Sequence, residues 1–343
     1  MRKFIFAVIL LLGVIFIIGR LAEVQSIVET IQKGDWRFIF LACIIELLWL
    51  VTVAATYRTI FTSIGLSEHL DKLVAMAAAA NFINTVAPAA GFGGMAIFIS
   101  ESRQSGNSSG RVTVASVLYV LYDYTAFLII LTLGFIVLFR RNNITATEIT
   151  AALILIAIAV ALASLLYLGT RSAQKLGNTL AWIARLVNRS FKLIIHRDYL
   201  QESRAHEFAQ EAADGLAEIR ASHRNLLLPV LLALGNKALL ILILFLMFLA
   251  FDVPASLGTV IAAFSIGYLF VIVSPTPSGI GIVEGVLTLI LNSFYIPLGA
   301  AAVITLAYRG VTFWLSLLIG FFAFRFLNAG VNQNIKVVDQ SKE

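Results

Sequence analysis

Residues 274–285 read SPTPSGIGIVEG, placing Pro275, Pro277, Gly279 and Gly281, then the carboxylate of Glu284, inside an apolar region running from about 255 to 293. Lipid cannot hydrogen-bond the backbone groups that proline and glycine leave free. Irregular backbone therefore survives at membrane depth only where protein covers it or where it lines a wet cavity. An earlier stretch, NFINTVAPAAGFGG at 81–94, interrupts the apolar region of about 71–100 in a looser way around Pro88 and Gly91. Paired interruptions in the two halves of a membrane protein point to a transport site at their meeting place.

The composition places both stretches in a membrane. Of the 343 residues, 60% are hydrophobic and 13% charged, and the mean hydropathy is +0.94. A soluble domain could not hide that much apolar surface. The net charge of +6 comes from cations that flank apolar runs and build no basic domain, so nucleic acid is not an expected partner and anionic lipid headgroups are. The single cysteine, Cys43, lies inside an apolar run and excludes a disulfide framework. The first apolar run, Phe4 to Ile18, follows Arg2 and Lys3 like a signal peptide, but Gly19 and Arg20 supply no small-residue cleavage site, and a retained helix is expected.

A helix needs roughly 20 apolar residues to span a bilayer. Six runs qualify, at about 4–20, 37–57, 112–139, 149–169, 226–250 and 299–325. The expected fold is thus an all-α polytopic membrane protein with about six full transmembrane helices. Two re-entrant helical hairpins fill the cut regions. The chain divides into a first half (1–169), a cytoplasmic amphipathic loop (171–224), a second half (225–327) and a short tail (328–343).

With the N- and C-termini in the cytoplasm, eighteen of the 25 Lys and Arg residues fall inside and five outside (Arg20, Lys33, Arg37, Arg140, Arg141), with Lys237 and Arg309 left at membrane depth. The two hairpins then dip from opposite sides, which makes the flanking triplets of segments an inverted repeat. If each cut region instead crosses twice as short tilted helices, the end-points do not change, and charge counting treats both layouts alike.

Ionisable residues at membrane depth are costly and mark candidate sites. They are Glu46, Asp123, Lys237, Glu284 and Arg309. Glu284 falls in the first turns of a half-helix expected to begin near Ser278, whose free N–H groups attract anions. It is placed to cap that helix, to pair with Arg309, or to meet substrate. Arg309, preceded by Tyr308, suits bidentate phosphate binding and has no accessible neutral form. Lys237, beside Asn236, is either a second phosphate contact or a snorkelling side chain. Tyr119 and Asp123 share a helical face, as a polar lining or as a packing contact. Glu46 is a partner for one of the cations. Asn81 and Asn84, a turn apart, are placed to satisfy freed backbone at the first break, and the glycines permit close backbone approach to lipid.

The loop at 171–224 holds a basic helical face (Arg185, Arg189, Lys192, His196) followed by an acidic one (Glu207, Glu211, Asp214, Glu218). It reads as an amphipathic hairpin near the headgroups or as a solvated linker. All four histidines (His69, His196, His206, His223) fall in loops without metal-ligand spacing, and no GxSxG, phosphate-cradling loop or zinc signature occurs. No cofactor and no enzymatic activity are expected.

The Pro-x-Pro-x-Gly-x-Gly-x-x-Glu segment, followed a helix later by Tyr308-Arg309, resembles the lysylphosphatidylglycerol synthase transmembrane-region family over essentially the whole chain. Asn81, Asn84 and Pro88 match its first motif more loosely. Where many members carry a charge shortly after the first Pro/Gly stretch, this chain reads GFGGMAIF, which leaves the substrate open. The resemblance implies lipid flipping. In the fused bacterial enzymes this domain is similar to a flippase for aminoacylated phosphatidylglycerol and precedes a soluble aminoacyl-transferase domain, which this chain is expected to lack. The expectation is a stand-alone inner-membrane flippase for an anionic or aminoacylated phospholipid or a polyprenyl-linked lipid. A proton-coupled solute carrier, or a non-transporting partner of a separate lipid-modifying enzyme, are the competing readings.

Overall fold

The computed structural model describes residues 29–86, 93–141, 146–191, 202–221, 227–274 and 276–327. Every regular element among them is helical. The long helices are α1 (Trp36–Ser63), α4 (Ser109–Arg140), α5 (Ala146–Arg171), α8 (Leu227–Ala250) and α11 (Leu298–Leu327). All five are long and apolar enough to cross a membrane, and they coincide with five of the six expected spans. The run at 4–20 lies outside the described residues. Many of their large apolar side chains face outward, including Phe40, Leu153, Val160 and Phe322, as lipid-facing helices require.

Each cut region forms two antiparallel arms. The first is α2 (Leu70–Val86) and α3 (Met95–Gln104). The second is α9 (Leu257–Val273), a 3₁₀ turn at Pro277–Gly279, and α10 (Ile282–Ser293). At 1.5 Å per residue, α3 extends only about 15 Å and α10 about 18 Å, against a hydrocarbon core of roughly 30 Å. The first hairpin closes at its base, where Lys72 Nζ donates to Ser105 Oγ (2.5 Å) and Asn107 Nδ2 to Glu68 Oε1 (3.1 Å). That base lies where α1 ends and α4 begins.

The base of the second hairpin lies at the other end of the bundle. There Gly258 packs on Val137 near the end of α4, and the Arg141 guanidinium covers the Phe294 ring at 4.9 Å. On the same face Asp35 N–H donates to the Ala250 carbonyl, joining the start of α1 to the end of α8. The hairpins thus open to opposite faces, and α2 touches the 3₁₀ turn of the second hairpin.

The two triplets (α1, α2–α3, α4 and α8, α9–α10, α11) repeat one contact pattern. Within each, the outer helices touch and flank the hairpin, and α1 packs along α8. Two glycines mark the crossing contacts. Gly134 of α4 lies against Ser265 and Ala262 of α9; Gly320 of α11 lies against the Ala78 carbonyl and Phe82 of α2. Each follows an ionisable residue by eleven positions, Asp123 to Gly134 and Arg309 to Gly320. A side chain at either glycine would collide with the opposing helix, so these positions set how closely the halves approach.

The loop region forms α6 (Ala173–Phe191) and α7 (Glu202–Ala221), packed on each other and on the bundle. The acidic face is not merely solvated. Glu211 Oε2 accepts from Ser108 Oγ and from Gly110 N–H, both at 2.7 Å, tying α7 to the first turn of α4. A negative charge belongs at that positive helix end. Lys192 and His196 of the basic face, and the tail 328–343, lie outside the described residues.

Candidate functional site

The irregular turn of the second hairpin builds the centre. Gly279 and Gly281 take φ of +72° and +79°, a region open to glycine, while Ser278, just before them, is held at +48°. A Cβ at Gly279 would meet Val283 and the Phe270 carbonyl, so the close approach is internal. The half-helix starts at Ile282, four residues later than predicted, because Ser278 and Gly281 break helical geometry. Glu284 is consequently at N3. Its Oε2 accepts from the Gly281 N–H at 2.7 Å, capping the helix.

The other oxygen of Glu284 meets Arg309. Arg309 Nε donates to Oε1 at 2.7 Å, Nη2 donates to the Ser278 carbonyl at 3.2 Å, and the guanidinium covers the Phe313 ring at 4.5 Å. Capping and pairing are therefore simultaneous, one oxygen for each. Arg309 is buried at 4% exposure. Directly after it, α11 widens into a π-helical segment at Gly310–Leu315, with Thr312 Oγ1 donating to the Tyr308 carbonyl at 2.9 Å. Such segments re-aim side chains and occur often at functional sites. No periodicity in the sequence announces this one.

Arg309 and Tyr308 line a cavity of about 130 Å³ together with Glu46, Asn81, Thr85, Tyr268 and the Ser278 turn. It has room for about four waters, at ~30 Å³ each. Its walls come from both triplets and both hairpins. Glu46 does not pair with a cation, contrary to expectation; its Oε1 is hydrogen-bonded to the Ser316 hydroxyl, a partner 270 residues away that spacing could not reveal.

A second buried pair lies beside this cavity. Lys237 Nζ donates to Asp123 Oδ1 (2.6 Å) and to the Tyr268 hydroxyl (2.7 Å), and sits 4.0 Å from the Tyr268 ring centre. Lys237 is 1% exposed, so it does not snorkel, and it is not a cavity-lining residue. Its amine is satisfied within the protein. Tyr268, the only phenol in α9, links the two sites because it lines the cavity and reaches the pair. The Tyr119 ring stacks on Tyr57 at 4.2 Å, and Tyr57 stacks on Phe98 at 3.8 Å, a packing role in the core around α2 and α3.

At the first hairpin, Asn84 Oδ1 accepts from the Gly94 N–H at 2.6 Å and ties the arms near their tip. Asn81 instead lines the cavity. Pro88, Gly91 and Pro275 lie outside the described residues, while Pro277 opens the 3₁₀ turn. Among the described residues no cluster of metal-ligating side chains occurs.

The family model described as the lysylphosphatidylglycerol synthase TM region matches residues 4–320. The chain belongs to that family. Two curated relatives match along nearly their whole length. One is a UPF0104 membrane protein of Methanocaldococcus jannaschii, 23% identical over 324 residues, covering 92% of this chain and 93% of the relative. Another, from Methanothermobacter thermautotrophicus, is 22% identical over 340 residues, 96% of each chain. Membership in the lysylphosphatidylglycerol synthase TM region family gives the chain a membrane-lipid context, and the site described above is its internal polar centre.

Proposed function

We propose that the protein moves a phospholipid between leaflets, its headgroup passing through the cavity while the acyl chains stay in the bilayer, without chemical change to the lipid. The observation that carries this reading is Arg309, a permanent cation facing a small, partly apolar cavity between two hairpins that open to opposite faces. Guanidinium matches a phosphodiester in charge and in donor geometry. The family's relation to lysylphosphatidylglycerol agrees with a phospholipid as cargo.

Both hairpins are re-entrant in this reading, because α3 and α10 are too short to cross. The termini and the α6–α7 pair face the cytoplasm, the side that receives most of the cations. A cavity of about 130 Å³ is smaller than a whole headgroup with its glycerol. Passage therefore requires one hairpin at a time to part from the other half, the usual logic of inverted repeats.

The test is reconstitution into vesicles containing fluorescent phosphatidylglycerol, with leaflet exposure read by a membrane-impermeant quencher. Wild type should equilibrate the lipid in minutes or less, and Arg309→Ala should fall to the protein-free rate. Full activity in that variant would remove the phosphate role from Arg309.

A further inference from the structure

Glu46 is the one charged group of the cavity whose partners do not balance it. It is 1% exposed near the middle of α1; Oε1 is engaged with Ser316, and Oε2 is buried with no hydrogen-bond partner. The cation that shares its cavity, Arg309, is turned to Glu284 and the Ser278 carbonyl.

The other groups around Glu46 offer no substitute. α11 presents Tyr308 and Ser316, α2 presents Asn81 and Thr85, and α9 presents Tyr268. Beyond Tyr268, Lys237 of α8 and Asp123 of α4 neutralise each other. On α1 itself the nearest titratable side chain is Cys43, one turn away. An unpaired carboxylate taken out of water in this way takes a proton in preference to staying charged. With that proton, every charge in and beside the cavity is matched one to one.

Entry of an anion at Arg309 upsets the balance by one unit. With Glu46 neutral the added charge is offset only by the guanidinium, but with Glu46 ionised two anions share one small cavity. We infer that Glu46 is a proton-binding site whose occupancy is linked to that of the phosphate site at Arg309, so that an anionic headgroup and a proton are held together. The step is an acid–base exchange: hydronium at an open face gives up one O–H bond and becomes water, while the Glu46 carboxylate forms one O–H bond. The same bond ionises to water when the headgroup leaves. Linkage is reciprocal, so protons favour anion binding and the anion favours proton uptake. A proton gradient across the membrane then biases lipid movement. The inference rests on the headgroup reading above and adds its coupling ion.

The test uses the full chain in detergent with short-chain dihexanoyl phosphatidylglycerol as probe, whose phosphodiester does not titrate between about pH 5 and about pH 10. Binding is followed by calorimetry, and proton exchange by a pH dye in weak buffer. In wild type, affinity should be level at low pH and then weaken towards tenfold per pH unit once Glu46 must be reprotonated, with up to one proton taken up per probe bound. Glu46→Gln keeps the shape and the Ser316 contact but fixes the neutral form; its affinity should be level across the range, with proton uptake lost. A wild-type affinity independent of pH, or an unchanged profile in Glu46→Gln, overturns the proton site and leaves the headgroup site standing. Equal absence of binding in wild type and Arg309→Ala overturns both.

Discussion

Removing the guanidinium of Arg309 tests whether the second hairpin is held in place by its ion pair. Arg309→Met keeps much of the side-chain volume but leaves Glu284 Oε1 and the Ser278 carbonyl without their donor. Breaking one partner of a buried pair costs about 3–5 kcal/mol. Glu284 keeps its bond to the Gly281 N–H and its side chain is 15% exposed, which places the expected loss near the lower end, about 3 kcal/mol. Glu284→Gln strands a cation that has no accessible neutral form and should cost a similar amount, about 3 kcal/mol.

The double variant removes both charges at once. Groups in direct contact couple, so its loss should fall short of the sum of the single losses by about 1.5–3 kcal/mol. Equilibrium unfolding in mixed detergent micelles measures all four species on one scale. Arg309→Met within about 0.5 kcal/mol of wild type, or strict additivity in the double variant, would refute the argument that this pair closes the hairpin. The same four proteins in the lipid assay separate the two roles of Arg309. A double variant that folds well but does not translocate assigns the guanidinium to cargo, whereas recovered transport assigns it to the hairpin alone.

Other interfaces give independent predictions. Gly320→Val places a Cβ about 2.5 Å from the Ala78 carbonyl, and the overpacking should cost about 1–3 kcal/mol or more, seen as a lower thermal midpoint in detergent. Asn84→Ala leaves the Gly94 N–H at the first hairpin tip without its acceptor, a loss of about 1–3 kcal/mol, and hydrogen exchange at the Gly94 amide should accelerate while that of α8 stays unchanged. Glu211→Ala removes two hydrogen bonds at the start of α4; a cost of about 1–2 kcal/mol is expected, with faster proteolysis within α7 as the readout.

The sequence by itself determined the membrane class, five observed spans and the two broken regions, since each is a local property of apolar length and of backbone that Pro and Gly interrupt. It also pointed to Glu284 with Arg309, because a carboxylate beside a helix start and an arginine one hairpin later have few other means of escaping the membrane cost. What the tertiary structure decided was partner choice among distant residues. Lys237 goes to Asp123, Glu46 to Ser316, and Tyr119 to an aromatic stack, each across more than sixty residues of sequence. Local pattern carries no record of such pairings, which follow from how two opposed triplets meet at Gly134 and Gly320. The π-helical segment after Arg309 belongs here too: it aims a side chain through packing, and nothing in the residues Gly310–Leu315 announces it.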